Sequence, residues 1–441
     1  MLHVFFALLL FISTLEAHDE ITVHLDTEVP LLPLFLSDVE SSKSSFSKEH
    51  LASVKDVLAF DLYYNGSTKV LSSNESSKKP SLKKQNDFDA EYSFDALRKD
   101  EVLYLVKLKG EKKELKVQCI SVNSQKARVI EITLTGDLVR DRRSVHALAD
   151  TIHEALFQKP GIASSKILFT IKKETKKKLI AEVFESDYDG KNMRQLTHEE
   201  ALCTHPLYIS PDSYCFVSYK IGQPKIYYAP LQGGTPQRAS LLKGNQLTPS
   251  LARDSSCITF ACDVTTTSDL FIQPFRKEVG PIGKPYHLFA AKGAAQASPV
   301  FSPDGKKIAF VSDKDGSPKI YVIDTPAPGT KLRDIKPILI TKRCRENSAP
   351  SWSPDGTKLA YSAKNSGARQ IWIYDFETAR ERQLTSGKSC KENPAWAKDS
   401  LHLLFNTKDD SSELFLVNLN QPEAVCITSG SGEKLFPSWE P

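Results

Sequence analysis

The chain has 441 residues, 40% of them hydrophobic and 25% charged, with a formal net charge of +4 at pH 7. Its length allows two or three domains of ordinary globular composition. So small a charge, with no basic block interleaved with aromatics, argues against nucleic acid as a partner, and 25 prolines against 20 glycines suit many short strands joined by turns.

Val4 to Ile12 reads VFFALLLFI. A bilayer needs about 20 apolar residues, so this run has the length of a signal-peptide core, with Ala17 as the cleavage residue of a segment spanning 1–17. The flanks depart from the usual pattern: no Lys or Arg precedes the run, and Leu15 stands where a small residue is preferred. The competing reading is a buried first strand. No cysteine stands directly after the run, which argues against a lipid-anchored N-terminus, and no later run approaches transmembrane length, so the mature chain from His18 is expected to be exported and soluble. Export permits disulfides. The eight cysteines form no CxxC pair, so zinc and redox signatures are absent. Cys344 and Cys390 precede equivalent strands and are candidates for near neighbours, but buried free thiols are the expectation for the set.

His18-Asp19-Glu20-Ile21-Thr22-Val23 opens the mature chain, and Ile21 to Thr27 alternates like a strand. It is either an arm that adds a strand to a partner, with Asp19, Glu20, Ile21 and Val23 as contacts, or a plain first strand. Lys48 to Phe60 sets Leu51, Val54 and Leu58 at helical spacing. Ser72 to Asn86 is rich in Ser and Lys and reads as a mobile loop. Leu103 to Leu108, Glu114 to Ile120 and Arg128 to Leu134 read as strands, the first two joined by a turn at Lys109-Gly110. Arg140 to Gln158 reads as a helix with Val145, Leu148, Ala149, Ile152, Ala155 and Leu156 on one face. His146 and His153 on that helix read as surface histidines, since no ligand spacing around them completes a metal site. Pro160-Gly161 ends a small α/β domain over 18–160.

Beyond it the sequence repeats. Pro, any residue, then a bulky apolar residue occurs at Pro206, Pro249, Pro299, Pro350, Pro394 and Pro437, 43 to 51 residues apart. Five of the six continue into a turn: SPDS at Ser210, ARDS at Ala252, SPDG at Ser302 and at Ser353, AKDS at Ala397. Each turn leads into an apolar strand, and pairs such as Lys319 to Asp324 (KIYVID) and Gln370 to Asp375 (QIWIYD) follow. Proline lacks an N–H and suits the start of a strand, while Pro, Asp and Gly suit successive positions of a tight turn. Repeats of about 40–50 residues with about four strands each are blades of a β-propeller. Ser165 to Glu174 supplies a strand without its Pro-x-aromatic partner, and Pro437 begins a repeat without its remainder. The C-terminal strand therefore completes the first blade, giving six blades over 161–441.

A signal peptide, a small α/β domain and a six-bladed propeller with SPDG turns together resemble the TolB family, periplasmic propeller proteins of the Tol–Pal system. The matching residues are Ser186-Asp187-Tyr188-Asp189-Gly190, the PxWSPDG repeats, and Lys434-Leu435-Phe436-Pro437-Ser438-Trp439. The resemblance implies a monomeric binding protein without cofactor, reaching membranes only through partners. Those would be a Pal-like peptidoglycan-associated lipoprotein at a channel mouth and a TolA-like inner-membrane protein at the N-terminal segment, in the service of outer-membrane integrity and envelope invagination at division. Residues just before the repeated prolines enter the innermost strands beside the channel. His205, Arg345, Glu346, Asn347, Lys391, Glu392, Asn393, Glu433 and Lys434 are the candidate rim, able to hold a partner through charge-assisted hydrogen bonds.

Other chemistries fit less well. Asp304 and Asp355 belong to turns, and Asp187-x-Asp189-Gly190 and Asp313-x-Asp315-Gly316 lack the distal Glu of a calcium loop. Propellers also accompany serine peptidases, but no G-x-S-x-G nucleophile turn is present. A hydrolase or lactonase at the channel mouth would need carboxylates converging in the channel; a scaffold propeller with other partners is the remaining alternative.

Overall fold

The computed structural model describes residues 29–175, 178–264, 267–364, 367–409, 411–421 and 423–441. The expected signal segment and the arm residues Asp19, Glu20, Ile21 and Val23 lie outside them.

The N-terminal region is a five-stranded sheet between two layers. Its elements are β1 (Leu32–Ser44), α1 (Lys48–Tyr63), β2 (Thr68–Val70), α2 (Ser73–Ser77), α3 (Phe94–Lys99), β3 (Tyr104–Lys112), β4 (Glu114–Ser121), β5 (Lys126–Thr133) and α4 (Leu138–Phe157). The sheet order is β2-β1-β3-β4-β5, with β1 parallel to β2 and β3. The two-residue period of the strands divides the side chains. Leu34, Leu36, Val106, Leu108, Leu115 and Val117 face α1 and α4, whereas Phe35, Leu105 and Ile120 face the other way, onto Leu82 and Leu97. Each long helix starts on a side-chain cap: Ser47 accepts from the His50 N–H and Asp137 from the Val139 N–H.

Three sequence expectations change here. Residues 72–86 are ordered: Ser72 and Glu75 form a capping box, a 3-10 turn follows at Pro80–Leu82, and Leu82 and Gln85 are buried. The turn between β3 and β4 is not at Lys109-Gly110 but at Lys112, where φ is 51°. His146 and His153 are not on the surface; they are 2% and 8% exposed.

The rest is a six-bladed propeller. β6 (Lys166–Glu174), β7 (Leu179–Asp187) and β8 (Arg194–Gln195) form the first blade with the terminal strand Glu433–Trp439, which pairs antiparallel with β6. The innermost strands of the other blades are Cys203–Ser210, Gln246–Leu251, Gln296–Phe301, Glu346–Trp352 and Cys390–Trp396. KIYVID and QIWIYD are third strands, with the bounds expected. The SPDG aspartates serve their turns: Asp304 Oδ1 accepts from Ser302 Oγ at 2.6 Å and from the Lys306 N–H at 3.1 Å, and Asp355 repeats the pattern. All eight cysteines are free; five are buried, and Cys426 is exposed.

Antiparallel hairpins put the turns after the first and third strands of every blade at one end of the propeller. The N-terminal region sits on that end, over the sixth and first blades. Tyr64 O faces His402 Nε2 at 2.6 Å, Asn420 and Gln421 donate to Gly66 O and Tyr63 O at 2.8 and 2.9 Å, and Tyr188 Oη donates to Asp61 at 2.8 Å. One apolar core runs through this seam, from Leu58 and Ile152 to Tyr188, Leu416 and Trp439.

Candidate protein-binding face

Every innermost strand carries the same irregularity. Around the repeated proline, three residues of this strand span two of its neighbour, as in Ala297–Val300 against Val311–Ala309 and Ser348–Ser351 against Ser362–Ala360. The register shift recurs in all six blades. The residue before the proline takes a left-handed conformation each time: His205, Thr248, Ser298, Ala349, Asn393 and Phe436 have φ between 47° and 55°. A bulge of this kind breaks the ladder, so proline's missing N–H costs nothing there.

Three residues before the proline stands an inward anchor. Gln246 donates to the carbonyls of Ser240 and Leu242, Asn347 to those of Pro318 and Cys344, and Lys391 to those of Ser386 and Ser389. Lys434 holds Gly430 O and pairs with Glu413 at 2.8 Å. Asn347, Lys391 and Lys434 are each 1% exposed. Three of the nine candidate rim side chains are thus committed to the loops between blades.

The remaining six lie in or directly before the innermost strands. His205 and Asn393 line the channel. His205 stacks on Phe436 with ring centroids 3.9 Å apart, and desolvation in the channel wall pushes its imidazole down to about 4. Asn393 donates to Asn406 at 2.9 Å. At the mouth away from the N-terminal region, Arg345 is exposed, and Glu346 meets Arg369 at 3.0 Å. Arg369 also approaches Glu392 at 3.7 Å, and Glu392 approaches Lys408 at 3.6 Å. Glu433 pairs with Lys172 at 2.9 Å. The partners Lys408 and Lys172 come from second strands and Arg369 directly precedes a third; no fixed spacing from the proline betrays them in the sequence.

Between the bulge ring and the turn end lies a cavity of about 420 Å³, walled by the repeated prolines with Arg253 and Lys398 at its edge. Among the described residues, Glu440 is the one acidic side chain lining it, and that carboxylate accepts from the Lys166 N–H. The paired carboxylates needed for glycoside hydrolysis are not gathered there.

A family profile described as the TolB beta propeller domain matches residues 153–441. The protein named TolB homolog of Protochlamydia amoebophila is 48% identical over 385 residues, covering 85% of this chain and 82% of that one. The TolB homolog of Chlamydia trachomatis serovar L2 is 34% identical, covering 86% and 82%. Among solved structures, TolB from Acinetobacter baumannii superposes with a TM-score of 0.75 over 96% of this chain and all of that one, at 19% identity, a likeness of fold.

Proposed function

The chain belongs to the TolB family, and from that premise we propose that it is a periplasmic, non-enzymatic adaptor of the Tol–Pal system. In this reading the channel mouth away from the N-terminal region receives a Pal-like peptidoglycan-associated lipoprotein. The mature N-terminal segment, with Asp19, Glu20, Ile21 and Val23, engages a TolA-like inner-membrane protein. The adaptor so formed supports outer-membrane integrity and envelope invagination at division.

One observation carries the proposal. Exposed and partly exposed charges of both signs, Arg345, Glu346, Glu392 and Glu433, stand in or directly before the innermost strands at the end away from the N-terminal region, and the chain Glu346–Arg369–Glu392–Lys408 crosses from the fifth blade to the sixth. Solvent-exposed pairs of this kind contribute little to stability, about 0–1 kcal/mol each, so a partner can exchange them cheaply and gain specificity from their order. The scarcity of acidic groups in the cavity supports the non-enzymatic half of the reading.

The test is capture of the soluble domain of the Pal-like lipoprotein from the same cell. Glu392→Lys and Arg345→Glu, each folded, are expected to weaken capture by about tenfold or more. Removal of residues 18–23 is expected to abolish capture of the TolA-like protein and to spare the lipoprotein. Unchanged capture by both charge variants would refute the assigned mouth.

A further inference from the structure

Six ionisable side chains meet where the N-terminal region sits on the first blade. Asp61 comes from α1, Arg142 and His146 from α4, Lys166 from β6, and Asp187 and Asp189 from the end of β7 and the turn after it. The side chains of Asp61, His146, Asp187 and Asp189 are 0%, 2%, 4% and 6% exposed. Arg142 holds Asp189, Lys166 holds Asp187, and Asn192 donates to Asp187 Oδ2 at 2.6 Å. Asp61 accepts from Tyr188 Oη on one oxygen and faces His146 Nδ1 at 2.8 Å on the other. His146 Nε2 remains buried without a hydrogen-bond partner. It points between Asp189 Oδ2 at 3.9 Å and Asp187 Oδ2 at 4.0 Å.

Three carboxylates and two permanent cations leave one negative charge over, and a buried net charge is costly. A proton on His146 cancels it and turns the orphan nitrogen into a donor aimed at two carboxylates. A metal ion matches less well, because the two oxygens facing Nε2 already accept from Asn192 and Arg142. Burial alone works against a charged ring, but Asp61, Asp189 and Asp187 outweigh it and carry His146 above the usual imidazole value. A second histidine of the seam is built alike. His402 has Nδ1 at 2.6 Å from Asp399 Oδ2 and Nε2 at 2.6 Å from Tyr64 O. Both nitrogens of this ring thus face oxygens, one of them across the seam. Among the described residues, Asp150 and His153 of α4 and Tyr64 share this part of the seam; burial pushes Tyr64 up and His153 down, and the contacts of His153 with Lys159 O and Ser67 Oγ suit a neutral ring.

We propose that the N-terminal region is docked on the propeller by a proton lock, in which protonated His146, enclosed by Asp61, Asp187 and Asp189, holds the seam shut and releases it as the medium turns alkaline. A raised folded value for His146 sets the sign: the stabilisation is complete below the unfolded value of about 6.5 and fades as pH climbs through the folded one. Asp61 is pushed up by burial, so whichever member of the pair holds the proton, the same rise in pH removes it.

The experiment uses the mature chain, hydrogen exchange corrected for intrinsic rates, and ring NMR with labelled histidine. Protection of α1, α4 and the turn after β7 is expected to fall by about tenfold or more between about pH 6.5 and 9. The fourth-blade strand Lys307–Ser312 should hold constant as the reference. His146→Gln should show the weak, alkaline level at both pH values. Asp189→Asn, which keeps the ring, should move the transition to lower pH; with the ring titration it decides the matter if His146→Gln does not fold. A neutral His146 ring at pH 6.5, equal seam protection at both pH values, or protection restored at pH 9 by zinc ion would overturn the lock.

Discussion

Lys434 and Glu413 meet where the last loop enters the first blade, and the pair is worth more as a restraint than as an attraction. Lys434 is 1% exposed, and removing one member of such a pair leaves the other desolvated and unpaired. Lys434→Ala is expected to cost about 3 kcal/mol in urea denaturation. Lys434→Met combined with Glu413→Gln should recover more than half of that, because it removes both charges and keeps the packing. Asp399 makes a second prediction at this scale. Although burial opposes its charge, His402 and the backbone N–H groups of His402 and Leu401 hold it down to about 2. A depressed folded value stabilises above the unfolded pKa of about 3.9 and is lost as pH falls through the folded one. Asp399→Asn should therefore destabilise the protein by roughly 2 kcal/mol near neutrality and flatten its acid limb between about pH 4 and 2, as followed by thermal melts across pH.

The repeated bulge is the element that shapes the channel, and its backbone can be tested directly. Ala349 sits at φ 48°, a conformation that costs a residue with a Cβ about 1–2 kcal/mol. Ala349→Gly should stabilise by up to about 1 kcal/mol after the extra freedom of the unfolded glycine is counted, while Ala349→Val should destabilise by about 2 kcal/mol; chemical denaturation of both variants checks the pair. The bulge was not legible beforehand. Its six residues, from His205 to Phe436, share no chemistry, and none is the glycine that usually marks a left-handed site. Missing the bulge also obscured the parity of the strand, which is why Asn347, Lys391 and Lys434 read as rim residues although they turn into the loops. Periodicity made the rest of the propeller plain: prolines, turn aspartates and apolar strands recur often enough to count blades and foresee the closing strand. The N-terminal region offered less. Gly110 looked like a turn but lies within β3, where an added Cβ would crowd Ser44 at 3.1 Å and Leu51 at 3.3 Å. Residues 72–86 have too few apolar positions to show a period, yet Leu82 seats them on the sheet, helped by the Ser81 N–H, which donates to Asp100, and by Asn86 Oδ1, which accepts from the Asp38 N–H. The two histidines of α4 share its buried side with Asp61 and Lys159 O, partners that only the folded chain brings within reach.

The molecule as a whole depends on the joint that closes its ring, where the sixth blade meets the first. Gly190, at φ 77°, lies in the turn that meets the last inter-blade loop; an added Cβ there would stand 1.9 Å from Ile427 O. Gly190→Ala is expected to cost about 3 kcal/mol or more, read as a fall in Tm, since neither backbone can yield freely. Trp439 is 9% exposed and its indole donates to Ala395 O at 3.0 Å in the neighbouring blade; Trp439→Ala should cost about 4 kcal/mol and broaden the unfolding transition. The closing strand also places a demand on time. Lys172 and Glu433, joined across it, are 261 residues apart in the chain. A ribosome finishes β6 long before it makes the strand that will lie beside it, and through that interval β6 waits with an open flank. Five blades can be spoken for while the first is still unclaimed. The ring is therefore decided only once residues 433–439 have been made, and a nascent chain halted before residue 433 forfeits its first blade along with the strand that closes it.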